Sequence, residues 1–281
     1  MPANATDFAY IRKFLYDKSA IQVGDDKDYL IDSRLTPVLR KHGVADFGAL
    51  VQRLRANGGD PLAVAVMDAM TTNETYFLRE PALFDELVKN CLPALMAARA
   101  ATRRLQIWSA ACSTGQEPYG LVMHMRERLP QLRDWQVRVV ATDISPSCLA
   151  QAASGVYRQL EVNRGLPAPY LLKYFTRKGL DYTLNDDIRQ AVEFRPLNLV
   201  GGWPIDIKPD LLLMRNVLIY FDQPTKAAIL GKVRQALAAD GYLVLGAAET
   251  TLNVDPTFER LTQGVYRQGG VNLNLKQGNC R

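Results

Sequence analysis

The reading of this chain turns on Trp108-Ser109-Ala110-Ala111-Cys112-Ser113-Thr114-Gly115-Gln116-Glu117-Pro118-Tyr119. The apolar run Leu105-Gln106-Ile107-Trp108 leads into it as a strand, and Pro118 to Arg128 leaves it as a helix. Small residues between a strand and a helix let the backbone approach a ligand closely at the carboxyl edge of a sheet. Neither the dinucleotide fingerprint G-x-G-x-x-G nor the phosphate loop G-x-x-x-x-G-K-[ST] is present. Glu117 stands at the helix start, where it would repel a phosphate that a helix N-terminus otherwise welcomes. The stretch therefore suits a ligand with cationic or hydroxylated groups and no phosphate.

Downstream, short apolar strands alternate with helices. Val137 to Ala141 reads as a second strand and Pro146 to Ala153 as the helix after it. Asp210-Leu211-Leu212-Leu213-Met214 is an almost unbroken apolar run, the signature of a parallel strand buried on both faces. Pro224 to Ala239 predicts a helix, Tyr242 to Leu245 a strand, and Phe258 to Leu261 with Val265 to Gln268 a closing hairpin. This alternation predicts an α/β fold with a Rossmann-like, doubly wound sheet. Between Gly165 and Phe194 the rhythm breaks. Tyr174 to Arg177, Asp181 to Leu184 and Ala191 to Phe194 are expected to form a small antiparallel β insertion, with Asn185-Asp186-Asp187 as a tight polar turn.

Upstream, only helical spacing appears. Phe8, Ile11, Phe14 and Leu15 share one helical face, and Leu30, Leu35, Val38 and Leu39 another, stopped at Gly43. Asp46 is placed to cap a helix through Phe47, Leu50, Val51 and Leu54, ended by Asn57-Gly58-Gly59. Asp60-Pro61 opens a fourth helix through Leu62, Val66 and Met70. The expected organisation is a small N-terminal all-helical domain over residues 1–75 and a linker with a connecting helix over 76–104. The α/β domain follows over 105–268, with the β insertion at 165–195, and 269–281 forms a polar tail.

The 281 residues are 48% hydrophobic and 22% charged, an ordinary globular composition. No apolar run approaches the ~20 residues of a membrane-spanning helix. The first residues, Met1 to Asp7, lack the basic flank and apolar core of a secretory signal, so a cytoplasmic location without membrane insertion is expected. Four scattered cysteines (Cys91, Cys112, Cys148, Cys280) and two histidines (His42, His124) suit neither a disulfide framework nor a zinc site, so no metal is expected. A net charge of +5 is compatible with an anionic partner but too mild to require nucleic acid.

Two further positions bear on ligand chemistry. Asp143 ends the second strand, where an acid in a nucleoside-binding α/β fold accepts hydrogen bonds from ribose hydroxyls; it could alternatively cap the helix after Ile144. Arg215-Asn216 emerges from the apolar run at 210–214, and a charged pair there is costly without a partner. S-adenosylmethionine has the cationic centre and the hydroxyls these acids call for, and carries no phosphate.

These residues together resemble the chemotaxis receptor methyltransferases, the CheR family. The resemblance runs from about Phe8 to Gln268 and rests on four stretches in matching order and spacing. They are Thr72-Asn73-Glu74-Thr75-Tyr76-Phe77-Leu78-Arg79, Ala111 to Tyr119, Thr142-Asp143-Ile144, and Arg215-Asn216-Val217-Leu218-Ile219-Tyr220-Phe221-Asp222. Carried over, it implies a class I methyltransferase that transfers a methyl group from S-adenosylmethionine to glutamate side chains of bacterial chemotaxis receptors, releasing S-adenosylhomocysteine. It implies a cofactor site of Asn73, Thr75, Arg79, Glu117, Asp143, Asn198, Leu199, Arg215 and Asn216, with Arg79 and Tyr220 nearest the transferring methyl. Gln116 and Gly120 depart from the family pattern, which favours glutamate and serine there.

The chemistry agrees with the inventory. A glutamate carboxylate, pKa ~4.3, is ionised at neutral pH and needs no general base to attack a sulfonium methyl. In the helical domain Arg34, Arg40, Lys41, Arg53 and Arg55 form a candidate docking surface for glutamate-rich receptor helices, or a merely solvated face. A monomer is the default, with a regulatory protein as a further partner. The competing readings are a nucleic-acid methyltransferase and a non-catalytic S-adenosylmethionine-binding regulatory module. Against the first, the loop after the 210–214 strand reads Asn216-Val217-Leu218-Ile219-Tyr220, without the proline pair of exocyclic-amine methyltransferases.

Overall fold

The computed structural model describes residues 5–56, 60–204, 206 and 208–269. The expected helix end at Asn57-Gly58-Gly59, Cys280 and most of the polar tail lie outside them.

Four helices open the chain: α1 (Ala5–Ser19), α2 (Asp28–Lys41), α3 (Phe47–Ala56) and α4 (Pro61–Met70). Their apolar faces close on one another around Ile11, Leu15, Ile31, Leu35, Leu50, Leu62 and Val66. Capping follows the sequence. Asp46 accepts a hydrogen bond from the Ala49 amide, and Asp60 accepts one from the Leu62 amide with Pro61 in the first turn.

A bent helix then crosses to the second domain as α5 (Pro81–Glu86), a π-helical turn at Leu87–Cys91, and α6 (Leu92–Ala98). Pro93 accounts for the wide turn: it has no N–H to offer and its ring would clash with the carbonyl four residues back in a regular helix.

The α/β domain contains β1 (Arg104–Ala110), α7 (Gln116–Arg128), β2 (Gln136–Asp143), α8 (Pro146–Ser154), β3 (Val156–Arg158), α9 (Gln159–Val162) and α10 (Ala168–Tyr174). It continues through β4 (Phe175–Lys178), β5 (Asp181–Leu184), α11 (Asp186–Arg189), β6 (Val192–Pro196), β7 (Leu211–Leu213), α12 (Gln223–Ala236), β8 (Tyr242–Val244), β9 (Phe258–Thr262) and β10 (Val265–Gln268). Seven strands form the main sheet in the order β6-β2-β1-β7-β8-β10-β9. The first five are parallel, and β10 runs antiparallel to β8 and β9. The chain steps outward from β1 through β2 to β6, then returns to the other side of β1 as β7. The switch point thus lies between β1 and β7, where the carboxyl ends of an open α/β sheet leave a crevice.

Both sheet faces are covered. Ile107, Leu211, Leu213 and Val244 pack under α5, α6, α7 and the small subdomain. Trp108, Leu212, Leu243 and Leu245 pack under α12 and the segment from Leu197 to Phe221. Trp108 is fully buried, donates its indole N–H to Thr142 Oγ1 at 3.0 Å and meets the Trp203 ring edge-on.

The β insertion differs from expectation in its membership. Its three-stranded antiparallel sheet is β3-β5-β4, so Val156–Arg158 belongs to it. Val192–Pro196 does not: it pairs in parallel with β2 from Val139↔Val192 to Asp143↔Pro196 and is an edge of the main sheet. Local alternation cannot tell an antiparallel strand from a parallel edge strand, because the partner lies 53 residues away. Asn185-Asp186-Asp187 does not make a tight turn but leads into α11, whose first turn two acids favour.

Candidate active site

One open cleft of about 1000 Å³ occupies the switch-point edge. All ten residues expected at the site line it: Asn73, Thr75, Arg79, Glu117, Asp143, Asn198, Leu199, Arg215, Asn216 and Tyr220. Five separated segments of chain supply them, which no local pattern could have brought together.

The loop after β1 forms the floor. Ala111 and Ser113 adopt φ of +57° and +51°, and Gly115 a φ of +90°. A Cβ on Gly115 would lie 2.9 Å from the Ala152 Cβ and 3.2 Å from the Tyr157 hydroxyl, so only glycine fits. The Asp143 carboxylate stitches this loop to β2, accepting the Ser113 amide at 2.7 Å on one oxygen and the Ser145 amide at 2.9 Å on the other. The helix cap itself is Ser145, which accepts the Cys148 amide. Burial pushes the Asp143 carboxyl above the usual carboxylate range, and the amides of Ser145, Ser113 and Ile144 pull against that rise. Each carboxylate oxygen has a second acceptor site, so the acid can organise its loop and still take a ligand hydroxyl.

Behind the loop sits a buried charge network. Arg215 donates to Glu117 at 2.8 Å and to the Arg79 carbonyl at 2.5 Å, and its guanidinium lies 3.3 Å from Glu80. Ser109 holds the second Glu117 oxygen at 2.8 Å. One cation faces two carboxylates, and the wall stays net negative. Backbone strain concentrates here: Leu78 and Glu80, on either side of Arg79, and Asn216 all have positive φ. The Arg79 side chain donates to the Glu74 carbonyl at 3.4 Å and stacks 5.6 Å from the Tyr76 ring centroid. The acids nearest it in sequence have partners elsewhere. Glu74 pairs with Arg164 at 2.7 Å, and Glu80 accepts the Ala247 amide besides facing Arg215. Tyr220, in the short 3-10 turn Leu218–Tyr220, is partly exposed at the cleft.

The helical domain forms the remaining wall. Ser19, Ile21 and the segment from Met70 to Thr72, which the sequence reading missed, line the cleft beside Asn73. Asn198 donates to the Lys18 carbonyl at 2.6 Å, Tyr16 donates to Asp222 at 2.6 Å, and Ser113 Oγ donates to the Asn73 carbonyl at 2.7 Å. Asp68 accepts from both Ser145 and Ser147 at the start of α8.

The five basic residues of the helical domain do not line the cleft. Arg34 donates to the Met70 and Thr71 carbonyls and so braces the linker to Asn73. Arg53 pairs with Asp60 at 3.1 Å, and Arg55 lies over the Tyr10 ring. Arg40 and Lys41 are exposed at the end of α2.

Gly120 has a local reason, since a side chain there would press on the Leu78 backbone, 3.3 Å from its amide nitrogen. Gln116 is buried and accepts from Thr114 Oγ1. Neither histidine lines the cleft. His124 is buried against Tyr170, its Nε2 3.3 Å from Asp85 without hydrogen-bond alignment, and burial lowers its pKa. Among the described residues no group of three or more His, Cys, Asp or Glu side chains is placed to hold a metal ion, and no helix is long and apolar enough to cross a membrane.

A doubly wound sheet, with acids rather than a phosphate cradle at its switch point, defines an α/β protein with an open, acid-lined cleft at that edge. The chain belongs to the CheR methyltransferase family. Residues 6–71 match the model for its all-alpha domain, and residues 73–266 the model for its SAM (S-adenosylmethionine) binding domain. It is 41% identical over 264 residues to chemotaxis protein methyltransferase 1 of Pseudomonas aeruginosa, covering 92% of this chain and 95% of that one. It is 38% identical over 268 residues to chemotaxis protein methyltransferase Cher2 of Pseudomonas putida, covering 94% and 96%. The chemotaxis protein methyltransferase of Vibrio parahaemolyticus is 38% identical over 251 residues, covering 88% and 90%.

Proposed function

We propose that this protein transfers the methyl group of S-adenosylmethionine to glutamate side-chain carboxylates of bacterial chemotaxis receptors, giving methyl esters. The donor set suits that cofactor: Asp143 for the ribose hydroxyls, the Glu117–Arg215 network for charged amino-acid groups, and Asn198 with Leu199 for the base. When bound, the cofactor supplies an electrophilic methyl on a sulfonium.

The observation that carries the choice of substrate is how the acids around the cleft are engaged. Glu117 is tied to Arg215 and Ser109, Asp143 to two amides, Glu80 to Arg215 and Ala247, and Glu74 to Arg164. Among the described residues that line the cleft there is no histidine and no acid without an engaged partner to serve as general base. A protonated amine nucleophile would need one; an ionised carboxylate does not. With the cofactor held by Asp143, Glu117 and Arg215, attack by an ionised carboxylate would call for no proton transfer to or from this chain. Arg79 and Tyr220, which line the cleft, would then have a positioning task, orienting nucleophile and methyl donor.

The test is incubation with methyl-labelled S-adenosylmethionine and receptor-bearing membranes. Label in the receptor band that alkali releases as methanol is the expected result. Alkali-stable label, or label in nucleic acid, would overturn the reading.

A further inference from the structure

Glu249 lies in the loop after β8 and is absent from every role given above. Its side chain is nine-tenths buried, yet no cation lies within ion-pair distance among the described residues. Four backbone amides surround its carboxylate. The Asn216 amide donates to Oε2 at 2.6 Å and the Gly246 amide to the same oxygen at 2.8 Å. The Val217 and Leu218 amides donate to Oε1 at 2.9 and 2.7 Å. Three of these four donors are consecutive, and they begin at the residue whose φ is +58°.

A single non-glycine residue in the left-handed region costs roughly 1–2 kcal/mol and persists only where its surroundings hold it. Asn216 is held from the far side of the sheet edge, by an acid 33 residues away. Gly246 makes room for the arrangement. A Cβ there would fall 2.5 Å from the Asn216 side-chain nitrogen and 3.0 Å from Glu249 Oε2. Leu218, whose amide is the last of the three, opens the 3-10 turn that ends at Tyr220.

We propose that Glu249 is the positioning residue of the cofactor site, acting by holding the backbone of Asn216 to Leu218 so that the Asn216 and Tyr220 side chains face the cleft. The inference rests on the proposed assignment of Asn216 to S-adenosylmethionine. Burial favours the protonated form of Glu249 and the four amides favour the ionised one, and only the ionised form accepts all four hydrogen bonds.

The test is a double-mutant cycle between Glu249→Gln and Asn216→Gly, read as S-adenosylhomocysteine affinity by calorimetry, with circular dichroism as the check on folding. The glutamine nitrogen cannot accept an amide, so Glu249→Gln should weaken binding by about 10- to 100-fold, the range for losing charge-assisted hydrogen bonds. Glycine adopts the left-handed conformation without help, so in the Asn216→Gly background the same change should weaken binding no more than about 3-fold. A merely structural glutamate would show the same loss in both backgrounds, and that result overturns the proposal. So does unchanged affinity in Glu249→Gln.

Should Glu249→Gln fail to fold, Gly246→Ala perturbs the same contacts with the carboxylate retained. Binding at wild-type strength there would equally contradict the proposal. If Asn216→Gly alone leaves affinity untouched, the assignment of Asn216 to the cofactor fails instead, a separate outcome that Glu249→Gln cannot mimic.

Discussion

The Arg215 guanidinium, 2% exposed, donates to the Glu117 carboxylate at 2.8 Å across 98 residues of sequence, joining the end of β7 to the start of α7 at the base of the cleft. Glu80 and the Arg79 carbonyl share the same guanidinium, so one side chain ties three separate segments together.

Replacing Arg215 should therefore be costly. Arg215→Met leaves the largely buried Glu117 and the partly buried Glu80 without their cation, a situation worth about 3–5 kcal/mol. We expect a lower melting temperature and no measurable S-adenosylhomocysteine binding. Arg215→Lys should fold better but still bind weakly, because one ammonium cannot span three acceptors in a planar fork.

Asp143→Ala should lose ribose contacts and the loop amides together, weakening S-adenosylhomocysteine binding by about 1.5–3 kcal/mol. The pH dependence has a definite sign. The hydrogen-bond acceptor is the carboxylate, and burial raises its pKa above the usual ~3.9. Affinity should fall as pH is lowered through that raised value, and Asp143→Asn should remove this acid limb. Calorimetry across the acid range checks both; unchanged affinity in Asp143→Ala would remove the residue from the site.

Tyr220→Phe and Arg79→Ala should lower turnover by more than they weaken cofactor affinity, with the fold intact, because both residues are partly exposed at the cleft. The pH–rate profile at saturating cofactor should be flat through neutrality. A required deprotonated group with pKa ~7 would contradict a carboxylate nucleophile.

Much of this architecture was legible because the sequence keeps its periods clean. Leu211 to Leu213 is apolar on both faces and sits at the middle of the sheet. Asp46 and Asp60 cap the helices they precede. What was not legible depends on distant partners. Val192 to Pro196 joins the main sheet through Val139 to Asp143, and Val156 to Arg158 is too short to announce itself. The same holds at the site. Arg215 and Asp143 stand out as charged residues ending apolar strands, whereas Ser19 and Ile21 reach the cleft only because the helical domain docks there.

Arg99 offers a test of the scaffold away from the cleft. It donates to Asp210 at 2.9 Å and to both Asp240 oxygens, at 2.7 and 2.5 Å, and so fastens the end of α6 to the starts of β7 and β8. Arg99→Ala strands a buried Asp210 and should destabilise by about 3 kcal/mol. The Arg99 guanidinium holds the Asp240 carboxyl below the usual carboxylate range. A depressed acid contributes stability above its unfolded pKa, ~3.9, and loses it as pH falls through the folded value. The gap between wild type and variant should thus be constant above that range and narrow below it, measured by denaturant unfolding at several pH values.

The most direct test of the account is mass spectrometry of a purified receptor cytoplasmic fragment after reaction with the protein and S-adenosylmethionine. The account predicts one added methyl, about 14 Da, on glutamate side chains, reversed by mild alkali and lost at any position changed from glutamate to glutamine, whose neutral amide lacks the ionised oxygen the attack requires. Methyl groups found on lysine, arginine or a chain terminus and stable to alkali, with glutamates unmodified, would contradict it.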